Sequence, residues 1–157
     1  MAKEIERKFL VTSDDWRLEV YQSTVIAQGY ILATEDRAVR VRRTGDNAYL
    51  TIKVSKSALE RLEYEYPIPV DDADELLEVA CTGGTVAKTR HLVRGSSNLV
   101  WEIDEFSGQN APLIVAELET PEVSTAFERP AWLGDEVTHD SRFLNTNLAT
   151  RPWGTWS

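Results

Sequence analysis

Hydrophobic and polar residues alternate with a period of two along most of this 157-residue chain. Such alternation puts the two sets of side chains on opposite faces of a β-strand. It predicts strands over residues 3–11, 25–33, 37–44, 47–54, 60–67, 86–94, 98–106 and 113–120. Thr44-Gly45-Asp46-Asn47 and Arg94-Gly95-Ser96-Ser97-Asn98 read as turns between antiparallel neighbours. Helical signals are fewer. Ser13-Asp14-Asp15-Trp16 resembles an N-cap with an acidic first turn, and residues 71–81 place Ala73, Leu76, Leu77 and Ala80 at helical spacing. A last helix is predicted over residues 141–149, closed by Arg151-Pro152. Eight strands with a few flanking helices predict a mainly β (α+β) fold, an eight-stranded antiparallel barrel whose closure removes exposed sheet edges.

The polar face of these strands is charged at nearly every position. Glu4, Glu6 and Lys8 share one face; Arg40 and Arg42 alternate with Val39 and Val41; Lys53 follows Thr51 at the same parity. Arg61, Glu63 and Glu65 alternate with Leu62, Tyr64 and Tyr66, and Lys88 pairs with Arg90, Glu102 with Asp104, Glu117 with Glu119. For any one strand the ordinary explanation is a sheet with one face in water. Repetition argues against it, because like charges segregated on one strand repel unless opposing charges or a ligand offset them. A barrel with its charged face inward meets that requirement, its apolar outer faces being covered by the helices. The basic set (Lys8, Arg40, Arg42, Lys53, Lys88, Arg90) suits a polyphosphate, since guanidinium forks match phosphate oxygens. The carboxylates suit a hard divalent cation, Mg²⁺ or Mn²⁺. Softer metals are disfavoured, because Cys81, His91 and His139 have no metal-ligand spacing.

Composition narrows the setting. A net charge of −9 opposes general attraction to nucleic acid or an anionic membrane surface, so neither is an expected partner. A single cysteine excludes an internal disulfide and fits a reducing cytoplasm. Lys3, Glu4, Glu6, Arg7 and Lys8 occupy the place of a signal peptide's apolar stretch, and no stretch has the length of a transmembrane helix. The length fits one domain over residues 1–157. The tail from 151 to 157 reads equally as loose, as a plug for one tunnel end or as a contact for a partner. A homodimer is left open.

The ordered series of charged motifs resembles the CYTH superfamily, the triphosphate tunnel metalloenzymes. It runs from Glu4-x-Glu6-x-Lys8 through Gln28-Gly29-Tyr30, Val39-Arg40-Val41-Arg42, Leu50-Thr51-Ile52-Lys53 and Arg61-Leu62-Glu63-Tyr64-Glu65. It continues with Lys88-Thr89-Arg90, Trp101-Glu102-Ile103-Asp104, Ala116-Glu117-Leu118-Glu119 and Leu133-Gly134-Asp135-Glu136-Val137-Thr138. The resemblance implies an eight-stranded tunnel that binds a triphosphate with Mg²⁺ or Mn²⁺, and it is greatest to the short bacterial inorganic triphosphatases. It implies that Lys8, Arg40, Arg42, Lys53, Lys88 and Arg90 hold phosphates. Glu117 and Glu119, with Glu4, Glu6 or Asp104, would organise metal. Tyr30 would work beside Lys8.

The expected activity is therefore metal-dependent hydrolysis of the terminal phosphoanhydride of inorganic triphosphate. Glu63, Glu65 and a Lys8-depressed Tyr30 are the candidates for activating water. Three alternatives share the tunnel: a thiamine or nucleoside triphosphatase, a class IV-like adenylyl cyclase, and a non-catalytic polyphosphate- or nucleotide-binding module. The first two need an apolar platform at a tunnel mouth, which the sequence does not assign. Trp16, Trp101 and Trp132 are expected to pack on the outside of the barrel, Arg7 to pair with a surface acid, and His91 to face away from the lumen.

Overall fold

The computed structural model describes residues 3–156, with side chains from Ile5 to Trp156. Its strands are β1 (Lys3–Val11), β2 (Val20–Ala33), β3 (Arg37–Thr44), β4 (Asn47–Ser55), β5 (Glu60–Pro67), β6 (Thr85–Arg94), β7 (Val100–Phe106), β8 (Ile114–Glu119) and β9 (Leu133–Glu136). Two helices accompany them, α1 (Val70–Val79) and α2 (Asn145–Thr150). Around the barrel the order is β5-β4-β3-β2-β6-β7-β8-β1, and a β5–β1 pairing closes the ring. All ladders are antiparallel, as expected. The closing seam is short, joining Lys3, Glu4 and Ile5 to Leu62, Arg61 and Glu60. β9 lies outside the ring of eight, on the C-terminal half of β1.

The outward-facing apolar residues are covered by different devices on different sides. Phe9, Val93, Trp101, Ile103 and Leu118 form one cluster with Trp16 and Trp132 packed over it. Trp16 comes from a 3-10 turn over Asp15–Glu19, and Trp132 from irregular chain after β8. On the opposite side α1 lays Ala73, Leu76 and Leu77 over Val41, Ala48 and Leu50. The approach is close: a Cβ at Gly29 would stand 2.7 Å from the Cys81 Sγ and 3.1 Å from a Leu77 methyl. Leu32, Ile52, Tyr64 and Tyr66 remain exposed, so the helical cover is less complete than the sequence implied.

A third cluster fills one end of the barrel. Val86, Phe106 and Val115 share parity with Lys88, Asp104 and Glu117, so they face inward beyond the charges. Phe143 and Leu148 from the C-terminal segment pack with them. The single helix expected over 141–149 is a 3-10 turn, Ser141–Phe143, followed by α2, with Leu144 extended between them (φ −65°, ψ 137°). That break aims the segment across the barrel. Trp153 and Trp156 pack against the same cluster, and the Trp156 ring meets Phe143 edge-on at 5.2 Å. Among the described residues no helix is long and apolar enough to cross a membrane.

Candidate functional site

Seven of the eight barrel strands bring charges to one cavity of about 240 Å³, and β2 adds Tyr30. Its basic side is built by β3, β4, β5 and β6, which contribute Arg37, Arg40, Arg42, Lys53, Arg61 and Arg90 to the lining. Its acidic side is built by β1, β7 and β8, with Glu6, Glu102, Glu117 and Glu119. Ladder register sets this polarity. Glu102 stands opposite Glu117, Glu117 opposite Lys8, and Glu119 opposite Glu6.

On the basic side, Arg40 is buried and donates from Nη2 to Thr51 Oγ1 at 3.3 Å. The same nitrogen lies 3.6 Å from both Glu63 Oε1 and Glu65 Oε2, while Arg40 Nε is buried with no hydrogen-bond partner. Arg42 Nε donates to Gln28 Oε1 at 2.8 Å, and Gln28 Nε2 donates to the Tyr30 hydroxyl at 3.1 Å. Burial, then the charges of Arg40 and Arg90, push Arg42 down to about 10. Three guanidiniums crowded in one low-dielectric space repel, which is the arrangement a polyanion relieves. Burial pushes the Tyr30 phenol up, against the opposing pull of Arg40 and Arg42. That is opposite to the shift a phenolate base needs.

Below the cavity, Lys88 and Asp104 form an ion pair at 2.7 Å with both side chains at 0% exposure. Arg90 holds the same carboxylate with two donors, Nε to Oδ1 at 2.8 Å and Nη2 to Oδ2 at 2.9 Å. Burial alone would raise Asp104, but Arg90 and Lys88 override it and hold the acid well below the usual carboxylate range. Arg90 also reaches Glu102 at 3.0 Å and Glu117 at 3.4 Å. Lys8 is buried, with its Nζ 3.6 Å from Glu117, 3.9 Å from Glu6 and 3.4 Å from the Phe143 carbonyl.

The comparisons with known proteins agree with this geometry. The family model described as CYTH domain matches residues 2–151. The chain belongs to the CYTH domain family. It is 42% identical over 153 residues to the inorganic triphosphatase of Acetivibrio thermocellus, covering 98% of this chain and 97% of that one. It is 38% identical over 150 residues to the inorganic triphosphatase of Nitrosomonas europaea, covering 93% and 96%. A crystal structure of an inorganic triphosphatase superposes with a TM-score of 0.67 at 35% identity, covering 95% of each chain. A more distant Hippeastrum protein, a putative adenylyl cyclase with a dominant triphosphatase activity, has a TM-score of 0.59 at 19% identity over 76% of this chain and 80% of that one. That likeness shows the fold alone.

The CYTH site residues read from the sequence divide into three groups. Glu6, Tyr30, Arg40, Arg42, Lys53, Glu63, Arg90, Glu117 and Glu119 line the cavity together. Lys8, Lys88, Asp104 and Glu65 do not line it: the first three are buried beneath, and the Glu65 side chain is 42% exposed and takes a hydrogen bond from Thr51. The Glu4 side chain lies outside the described residues. Several contributions were missed by the sequence reading, among them Glu35 from the β2–β3 turn. Arg61 shares lumen parity but was grouped with the acids of its strand, Arg37 precedes the charged pair on β3, and Asn145 arrives from a segment with no charge pattern. Arg7, Trp16, Trp101, Trp132 and His91 stand where the sequence placed them. Arg7 forks onto Glu136, and His91 lies against Trp16, Ser23 and Glu105.

Proposed function

We propose that this CYTH protein is an inorganic triphosphatase, hydrolysing the terminal phosphoanhydride of inorganic triphosphate within its tunnel with a divalent metal ion. The observation that carries the reading is the polarity of one cavity, guanidinium-rich along β3 to β6 and carboxylate-lined along β1, β7 and β8, with Arg40 Nε buried and unpartnered. An unsatisfied buried donor is costly, and a phosphate oxygen offsets that cost. Two nearly full-length relatives bearing this activity support the same conclusion.

The chemistry of the acidic wall fits a hard cation. Its donors are all carboxylate oxygens, and Glu6 and Glu119 oppose one another in register. Burial, followed by neighbouring negative charge, raises Glu119; burial also raises Glu102, against the pull of Arg90. Among the described residues no three acids are gathered as a ready ligand cluster. Glu6, Glu117 and Glu119 are the groups that would hold Mg²⁺ or Mn²⁺, with Glu4 as a further candidate. Asp104 is the poorest, because three donors already occupy its oxygens. The metal supplies charge neutralisation at the phosphate oxygens.

The chain's own residues do the rest. Arg40, Arg42, Arg61 and Arg90 align the phosphates, with Lys53 as a mobile point charge. Lys88 and Asp104 fix Arg90 from below, and Lys8 orients Glu117. Glu63, which lines the cavity, is the favoured acceptor of a proton from attacking water. The raised pKa argues against Tyr30 in that role and for a neutral phenol as hydrogen-bond donor. The test is phosphate release from inorganic triphosphate with Mg²⁺ or Mn²⁺, beside ATP and thiamine triphosphate. Preferential release from inorganic triphosphate is expected; no turnover by folded protein with either metal would overturn the assignment.

A further inference from the structure

Three polar side chains run in series on the basic side of the lumen. The β2–β3 ladder sets Gln28 opposite Arg42 and Tyr30 opposite Arg40, so Gln28 and Tyr30 share the inward face two residues apart. Arg42 and Tyr30 line the tunnel cavity, whereas Gln28 does not and is sealed at 0% exposure. An amide buried so completely is costly unless its polar atoms are bonded. Both ends are: Arg42 Nε donates to the amide oxygen at 2.8 Å, and the amide nitrogen donates to the Tyr30 hydroxyl at 3.1 Å.

The direction of these bonds cannot be reversed. A guanidinium has donors only, so Arg42 fixes the amide oxygen towards itself and the NH₂ group towards Tyr30. The NH₂ group also has donors only, so the phenolic oxygen must accept from it. The phenol's own proton is thereby turned away from Gln28. Burial pushes the phenol's pKa up, so that proton is present at neutral pH. Among the described residues no acceptor takes it, and Tyr30 faces the cavity. An anionic phosphate oxygen is the acceptor such a donor lacks.

We propose that Gln28 is a positioning residue for the phosphoryl chemistry, relaying the fixed direction of Arg42 to Tyr30 and so aiming the phenolic proton at a phosphate oxygen of the substrate. This role rests on the triphosphate reading of the tunnel, but it belongs to a side chain that touches no substrate.

The test is a double-mutant cycle between Gln28 and Tyr30. Gln28→Glu replaces the NH₂ donor with a second acceptor, which takes the phenolic proton for itself. The kcat/KM for inorganic triphosphate should fall at least about tenfold, to the level of Tyr30→Phe, and the same change in the Tyr30→Phe background should cost little more. Gln28→Met repeats the cycle without an added charge and should give a weaker coupling of the same sign. Thermal melts of all variants separate these losses from misfolding. Calorimetry of triphosphate binding without metal runs the cycle on Kd as well; coupling in Kd with no turnover would overturn the hydrolytic assignment alone. The role of Gln28 is overturned if its substitutions cost as much in the Tyr30→Phe background as in wild type, since it would then act through Arg42 or through packing. It is equally overturned if the folded chain binds no triphosphate.

Discussion

Glu6 and Glu119 stand directly opposite each other on the lumen face of the β1–β8 ladder, one step from the complementary pair Lys8 and Glu117. Like charges at facing positions destabilise a sheet. The metal-free fold therefore carries a local cost at the place where the proposed chemistry needs carboxylates. Burial and the charges of Glu6 and Glu63 raise Glu119, so the stability linked to this group is present below the unfolded carboxylate value and lost as pH rises through the folded one. Glu119→Gln removes that loss. Because Glu119 is only partly buried and remains open to solvent, screening limits the gain to less than about 1 kcal/mol. The expected outcome is a higher melting temperature than wild type at neutral pH without metal, together with loss of triphosphate turnover. A lower melting temperature for the variant would count against the repulsion.

Asp104 behaves oppositely. Its folded value is depressed by Arg90 and Lys88, which outweigh the effect of burial, so its contribution is present above the unfolded carboxylate value and lost as pH falls through the folded one. With the side chain fully buried, Asp104→Ala leaves Lys88 without its ion-pair partner and should cost about 3–5 kcal/mol in urea unfolding. The less drastic Asp104→Asn should flatten the decline of stability over roughly pH 5 to 2. A pH profile parallel to wild type would show that the carboxylate is not the acid-sensitive group.

Strand parity was enough to place Arg40, Arg42, Arg90, Glu117 and Glu119 on one wall or another, because a barrel turns a period of two directly into inside and outside. It could not say how deep each charge sits. Lys88 and Arg90 have the same parity, yet the first is sealed beneath the cavity and the second lines it, a difference set by shear and by the segment that plugs the end. β9 was not anticipated, since Leu133-Gly134-Asp135-Glu136 is too short and too polar to alternate. β2 starts at Val20, ahead of the expected 25, because Tyr21-Gln22-Ser23-Thr24 carries little apolar signal. Asn145 meets Lys88 across 57 positions of sequence, a relation that local pattern does not encode.

Arg61 offers a direct check on the basic wall, as it lines the cavity yet was absent from the phosphate set read by sequence. A charge-assisted contact to phosphate contributes about 1.5–3 kcal/mol. Arg61→Gln should therefore raise the KM for inorganic triphosphate about tenfold or more, with an unchanged melting temperature. Steady-state kinetics paired with a thermal melt separates this from misfolding. An unaltered KM would remove Arg61 from the phosphate row.

The C-terminal segment touches two lumen lysines at once: the Phe143 carbonyl lies 3.4 Å from Lys8 Nζ, and Asn145 Oδ1 accepts from Lys88 at 3.2 Å. What holds the segment there is the apolar cluster of Val86, Phe106, Val115, Phe143 and Leu148, backed by Trp153 and Trp156. The Trp153 backbone N–H donates to Asn110 Oδ1 at 2.7 Å, and the Trp156 indole Nε1 donates to the Arg151 carbonyl at 3.0 Å, so polar contacts fix the chain at Trp153 and the ring of Trp156. Partial burial of each ring contributes about 1–2 kcal/mol. Trp153→Ala with Trp156→Ala should therefore lower stability by about 2–4 kcal/mol in urea unfolding. Because Phe143 then loses its edge-on neighbour, the grip on Lys8 and Lys88 should loosen, lowering kcat more than it changes KM. Loss of stability with kcat intact would mean that Trp153 and Trp156 brace the barrel without positioning the lysines.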